Sequence, residues 1–231
     1  MAAKRDKNFH VIDHPLLHHK LGHMRKPVTE SPSRLFVQLM REVGMIMACE
    51  ATRGLHTEEK DVDSEREGTK VKIKYFPEKK PAIIPILRSG LVMAEGVREI
   101  ISTTYTGHIG IYHEIGGEVK DYLVAIPADN IPDNDSASTE QKKERRKIFL
   151  VDPVIVSGAT ACRAIEILKE NNIMEDDITF ITLIVGTDGK KLLQREHPDV
   201  QVYTAVLDEE VAYDDLVPGL GIISNRLFRT A

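Results

Sequence analysis

The sequence predicts an α/β fold with a mostly parallel central sheet and helices on both faces. Three features carry that expectation. The apolar run at residues 81–87 (PAIIPIL) and the stretch 147–151 (KIFLV) read as short strands buried on both sides. Each is followed by apolar residues at helical spacing, over 91–101 in one case and through Ala164, Ile165 and Leu168 in the other. Small, glycine-containing loops lie where these strands give way to helices, which is where open α/β sheets bind ligands. With 231 residues, 42% of them hydrophobic, the chain can build one sizeable core, and residues 1–231 are read as a single domain.

Taken in order, residues 1–9 are polar and are expected to fray. Residues 14–27 (HPLLHHKLGHMRKP) form an arm before a helix that Ser31 caps and Pro32 opens. Leu35, Leu39, Val43, Ile46 and Met47 then make an apolar stripe that ends by Gly54. The apolar content of arm and helix exceeds what a surface appendage exposes, which predicts a subunit interface there. Val71, Ile73 and Tyr75 alternate with Lys70, Lys72 and Lys74, the pattern of a strand with one wet face. Further strands are expected at 108–114 (HIGIYHE), 178–185 and 200–206, while 128–146 is too polar for a core strand and reads as a long surface loop.

The formal charge of −5 leaves no global basic footprint, and the cluster Lys142, Lys143, Arg145, Arg146 and Lys147 reads as a solvated boundary rather than a nucleic-acid face. Cys49 and Cys162 fall in apolar helical contexts and are expected to be buried thiols in a reducing, cytoplasmic setting. No stretch approaches the ~20 apolar residues of a membrane helix, and no signal-type apolar run opens the sequence. His14 and His18, and His19 and His23, are spaced to face one another on a helix, but with no acidic or thiol ligand beside them and Lys20, Arg25 and Lys26 nearby, a metal site is set aside.

The richest stretch is 151–161 (VDPVIVSGATA). A strand ends in Asp152, and Ser157, Gly158, Ala159 and Thr160 open a helix, so unpaired backbone N–H groups, a positive dipole end and two hydroxyls make a cradle for a phosphate. Asp152 can accept hydrogen bonds from sugar hydroxyls. No Gly-Lys-Thr follows the first glycine, so this is not a P-loop. Arg88, Ser89 and Gly90 follow the strand at 81–87 directly, and the Arg88 fork suits a diphosphate; pairing with Glu95 is the competing structural role. Residues 217–228 (VPGLGIISNRLF) form a rigid loop whose bare backbone could read the edge of a planar ring.

HPLLHHKLGHMR (14–25), REVGMIMACEATRGL (41–55), IPILRSGL (84–91), HIGIYHE (108–114), LVDPVIVSGAT (150–160), HPDVQVYTAVLDE (197–209), LVPGLG (216–221) and NRLFRT (225–230), in this order, resemble the uracil phosphoribosyltransferase family. The resemblance implies the type I phosphoribosyltransferase fold, with an N-terminal arm over 1–30 and a nucleobase-binding hood over 207–231. It implies transfer of the phosphoribosyl group of 5-phosphoribosyl 1-diphosphate to uracil, giving UMP and diphosphate in pyrimidine salvage. Mg2+ would be bound with the diphosphate and not by a metal site of the protein, GTP is a candidate allosteric activator, and a homodimer or homotetramer is expected. By position, Ser157 to Thr160 would hold the 5-phosphate, Asp152 the ribose hydroxyls, and Arg88 with Ser89 and Gly90 the diphosphate; Arg88 and Asp152 would be the catalytic pair. Pro153, Val154, Ile155 and Val156 complete that substrate motif, and His113 stands where an Arg contacts the diphosphate. Leu216, Gly221, Ile222 and Ile223 would line uracil.

The chain also departs from the pattern. Where the family usually reads Gly-Asp-Ala-Gly-Asp, this chain has Gly221, Ile222, Ile223, Ser224 and Asn225, losing two carboxylates; Asp215 replaces a usual Tyr and Arg229 a usual Gly. Three readings follow: an active uracil enzyme, a phosphoribosyltransferase for another nucleobase, and a degenerate regulatory or oligomerising member. Retention of Arg88, Asp152 and the hydroxyl pair favours the enzymes; the altered 221–225 loop favours the others.

Overall fold

The computed structural model describes residues 7–27, 29, 33–66, 68–75, 80–102, 104–114, 117–127, 145–211 and 215–229. The expected cap at Ser31 and Pro32 and most of the loop at 128–146 lie outside the described residues. In chain order the strands are β1 (Phe9–Val11), β2 (Glu58–Asp63), β3 (Lys70–Tyr75), β4 (Ala82–Leu87), β5 (Tyr105–Thr106), β6 (His108–His113) and β7 (Val119–Ala125). They continue with β8 (Ile148–Val151), β9 (Val154–Ile155), β10 (Ile178–Ile181), β11 (Ile184–Gly186), β12 (Gln201–Thr204), β13 (Val206–Val211) and β14 (Asp215–Val217). The helices are α1 (Pro15–Met24), α2 (Ser33–Ala51), α3 (Gly90–Ile100), α4 (Ala159–Glu170), α5 (Thr187–Glu196) and α6 (Ile223–Phe228).

The main sheet has the order β1-β12-β10-β8-β4-β6-β7, with β5 also paired to β4. Every pairing in it is parallel except β6 with β7. Strand periodicity divides the side chains between two cores. Ile83, Phe149, Val151 and Ile181 join a cluster with α1, α2 and α3, while Ile84, Ile86, Ile148, Leu150 and Phe180 join one with α4. Helices therefore cover both faces, as the apolar runs predict. Pro85 sits in a central strand without costing a ladder bond, because β4 changes partner there, from β5 at Ala82 and Ile83 to β6 at Ile86 and Leu87.

The expected single strands at 178–185 and 200–206 are each broken in two. β8, β10 and β12 pass into β9, β11 and β13 across a common bend at Asp152–Pro153, Thr182–Leu183 and Ala205. Pro153 has no N–H to give, and its carbonyl accepts from both Leu183 and Ile184. The buried hydroxyls of Thr182 and Thr204 donate to the Ile184, Leu183 and Val206 carbonyls around the bend.

Several other expectations are corrected. Phe9 is not frayed but buried in β1, which pairs with β12. Leu17, Leu21 and Met24 of the arm, and Phe36, Met40, Val43 and Met47 of α2, are buried within the chain itself, while Leu16 is exposed and Leu35 and Ile46 are partly buried. Cys49 is exposed; Cys162 is buried. Asp13 does accompany the histidines, 3.0 Å from His18, while His14 caps α1 by accepting from the Leu16 N–H. In the basic cluster Arg145 and Lys147 pair with buried Asp177 at 2.9 and 3.0 Å, and Arg146 is buried over the Tyr105 ring. Strand β2 escaped the sequence reading because its charges resemble a loop; opposite Lys74, Lys72 and Lys70 of β3 stand Glu59, Asp61 and Asp63.

Candidate active site

The sheet order reverses between β4 and β8: from β4 the chain goes on to β6 on one side, and from β8 to β10 on the other. A crevice opens outside the carboxyl ends of strands at such a point. Residues 88–90 leave β4 there and Asp152 leaves β8. The two loops are in contact, since a Cβ on Gly90 would come within 2.3 Å of the Val151 carbonyl oxygen, and the Ser89 Oγ donates to Asp152 Oδ1 at 2.5 Å. The Leu87–Arg88 peptide is cis.

Asp152 is 8% exposed, and burial pushes its carboxyl up to about 7, with the Ser89 hydrogen bond pulling the other way. Arg88 is exposed, its guanidinium 5.9 Å from the centre of the Phe228 ring on α6. Glu95, the structural partner considered for Arg88, belongs instead to Arg41, at 2.6 Å. The Arg88 fork is therefore left over the Phe228 ring with no carboxylate of the described residues paired to it.

Two helices begin at this crevice, α3 at Gly90 and α4 at Ala159. Neither has an acidic residue in its first turn, and neither N-terminus is capped by a side chain, the Ser89 hydroxyl being spent on Asp152. Both positive ends are thus available to anions, each worth up to about 1 kcal/mol at an exposed site. Gly158 precedes α4 at φ 91°, a conformation that favours glycine, and lies against Gly189 of α5. A Cβ on Gly189 would in turn meet the Val156 carbonyl oxygen at 2.3 Å, so two glycines set the shape of the 156–158 turn. Ser157 is exposed, and Thr160 shares a hydrogen bond with His113 at the end of β6, 2.8 Å away.

The remaining expected residues divide by orientation. Pro153 and Ile155 are buried, and Val154 and Val156 are partly buried against the core, so these four can offer a ligand chiefly backbone. In the last segment Ile222 is 68% exposed while Ile223 is 8% exposed and turned into the core. Gly221 is exposed at φ 65°. Leu216 pairs with Glu210 in the β13–β14 hairpin, and its side chain, like that of Asp215, lies outside the described residues.

Compared with known proteins, residues 11–230 match the model of a family described as uracil phosphoribosyltransferase. The chain belongs to the uracil phosphoribosyltransferase family. The uracil phosphoribosyltransferase of Lactococcus lactis subsp. lactis is 40% identical over 96% of this chain and 98% of the relative. That of Enterococcus faecalis is 39% identical over the same shares, and that of Paraburkholderia phymatum 34% identical over 98% and 97%. Among solved structures, the AQ2163 protein of Aquifex aeolicus superposes with a TM-score of 0.83 at 21% identity, over 96% of this chain and 99% of that one, a likeness of fold.

Against the pattern of a uracil phosphoribosyltransferase, the unusual Ile222 carries no packing role, which its exposure excludes. His113 reaches Thr160, linking the end of β6 to the hydroxyl loop. Sequence reasoning missed Gly189, Asp208, Arg25 and Arg226. Gly189 was detectable as a glycine in the first turn of a late helix; the other three depend on contacts between segments about 180 or more positions apart.

Proposed function

We propose that the protein is an active uracil phosphoribosyltransferase, converting uracil and 5-phosphoribosyl 1-diphosphate to UMP and diphosphate. The observation that carries this is the pair of acid-free, uncapped helix N-termini on either side of a buried carboxyl and beside an unpaired arginine. A substrate with phosphate groups at both ends of a ribose matches that layout. The α4 N-terminus with Ser157 and Thr160 takes the 5-phosphate, Arg88 and the α3 N-terminus take the diphosphate, and Asp152 accepts from the ribose hydroxyls between them. Backbone groups at 221–223 read the uracil edge.

Breaking the anomeric bond builds positive charge on the sugar and negative charge on the departing diphosphate. Fixed donors aimed at that diphosphate and an oriented nucleobase lower the barrier by electrostatics and positioning. Mg2+ bound with the diphosphate would neutralise leaving-group charge, since Mg2+ is commonly held by substrate phosphates and one or two carboxylates.

Finer parts of the reading have their own supports. Two unpaired cysteines suit a cytoplasmic setting. A homodimer would cover the apolar side chains exposed on β6 and β7, Tyr112, Tyr122, Leu123 and Val124. An isoleucine where a carboxylate is usual favours, as a second reading, a different nucleobase. The deciding experiment is a turnover assay with 5-phosphoribosyl 1-diphosphate, Mg2+ and a panel of nucleobases. UMP formation from uracil is expected; folded protein that makes another nucleotide and no UMP points to the second reading, and no nucleotide at all refutes both.

A further inference from the structure

The loop ahead of the uracil-reading segment is held by two charged side chains that the phosphoribosyl chemistry does not use. Asp208 on β13 has a side chain only 3% exposed; Arg25 Nη2 donates to both its oxygens at 2.7 Å, and the Gly219 N–H donates to its Oδ2 at 3.0 Å. Arg226 on α6 reaches the same loop. Its Nη1 donates to the carbonyls of Leu220 at 3.1 Å and Met24 at 2.6 Å, and its Nη2 to Lys26 at 3.1 Å, with the guanidinium 4.0 Å from the centre of the Phe36 ring. Both ties end on residues 24–26, the C-terminal end of the arm helix α1. Gly219 and Leu220 are thus fixed immediately before Gly221, Ile222 and Ile223.

We propose that Asp208 and Arg226 are positioning residues that use the N-terminal arm as a backing plate for the nucleobase loop, and so set affinity for the base and not for the sugar diphosphate. This rests on the assignment of 221–223 to uracil. The physical ground is that a loop which recognises a ring through backbone groups has no side-chain anchor of its own. Its geometry is then only as fixed as its supports, and a charge-assisted bond to a buried carboxylate is a strong one. The 157–160 cradle is held by different contacts, at Gly189 and His113.

The test compares wild type with Asp208→Asn and Arg226→Gln by steady-state kinetics and by amide hydrogen exchange of the free protein. Asp208→Asn keeps shape and one acceptor, so it preserves folding, and Arg226→Lys keeps the charge without the fork. Expected are a KM for uracil raised about tenfold or more, a KM for 5-phosphoribosyl 1-diphosphate within about twofold, faster exchange over 218–223 with none over 157–161, and partial rescue by Arg226→Lys. Unchanged exchange over 218–223, or both KM values moving together, overturns the proposal. Wild type without UMP turnover would refute the activity itself. Folded variants with normal exchange at 157–161 and wild-type KM for uracil refute the positioning role alone.

Discussion

Replacing Asp152 by Asn should stabilise the free protein and disable it, with the two effects growing over the same pH range. In the folded chain burial holds the Asp152 carboxyl at about 7 against an ordinary value of 3.8, and only the Ser89 hydroxyl opposes the shift. A carboxyl raised in this way contributes stability that is complete below pH 3.8 and is lost as pH rises to about 7, because over that window the unfolded chain releases the proton and the folded one keeps it. At 1.36 kcal/mol per pH unit the loss amounts to about 4 kcal/mol above pH 7 and to roughly a third of that at pH 5. Asparagine titrates nowhere in this range and still offers an oxygen to Ser89. The difference in melting temperature between variant and wild type should therefore widen from pH 4 to pH 7 and then level off, reaching about 10 °C for a chain of this size. Catalysis should run the other way. Only the ionised carboxylate is a full acceptor for the ribose hydroxyls, so kcat/KM for 5-phosphoribosyl 1-diphosphate should rise through about pH 7 in wild type, and Asp152→Asn should lose that limb. Thermal unfolding and steady-state kinetics of both proteins from pH 4 to 8 supply the check. A melting difference that is flat with pH, or a variant less stable than wild type at pH 8, would refute the argument from burial.

Three further outcomes are expected. Arg88→Met should lower kcat/KM for 5-phosphoribosyl 1-diphosphate by about tenfold to a hundredfold, the value of a charged hydrogen bond, while leaving the melting temperature nearly unchanged because Arg88 is exposed and supports no described ion pair. Gly189→Ala should cost about 1–3 kcal/mol in thermal unfolding and raise KM for the same substrate, since the new methyl would sit 2.3 Å from the Val156 carbonyl oxygen and displace the 156–158 turn; unaltered kinetics would show the turn to be pliable. Ile222→Asp should raise turnover about tenfold with little change in KM for uracil, by restoring a carboxylate at an exposed position, and a slower variant would mean the loop has been rebuilt around isoleucine.

How much of this was legible beforehand varies with the range of the interactions involved. The parallel sheet and its two-sided burial could be read from runs such as AIIPIL and IFLV, because a strand covered on both faces must be apolar throughout and that demand is local. The loop before α4 was readable for the same reason: small residues, two hydroxyls and a helix start occupy consecutive positions. The end of β8 at Asp152 was legible too, but the breaks at Thr182–Leu183 and Ala205 were not, since 178–185 and 200–206 each read as one strand and only the alignment of three strands shows that they bend together.

The alphabet of the site, Arg88, Asp152, Ser157, Thr160 and the glycines around them, belongs to the sequence alone. Tertiary structure decided what those residues are set against. Burial turned Asp152 into a group that titrates near neutrality, the pairing of Arg41 with Glu95 left Arg88 free for an anion, and a fold that closes residue 25 onto 208 and 226 onto 24 made the N-terminal arm a support for the last loop. Most of the apolar stripe of the arm and α2 that suggested a partner subunit packs inside the chain, because an amphipathic pattern records that a face must be covered and says nothing of what covers it.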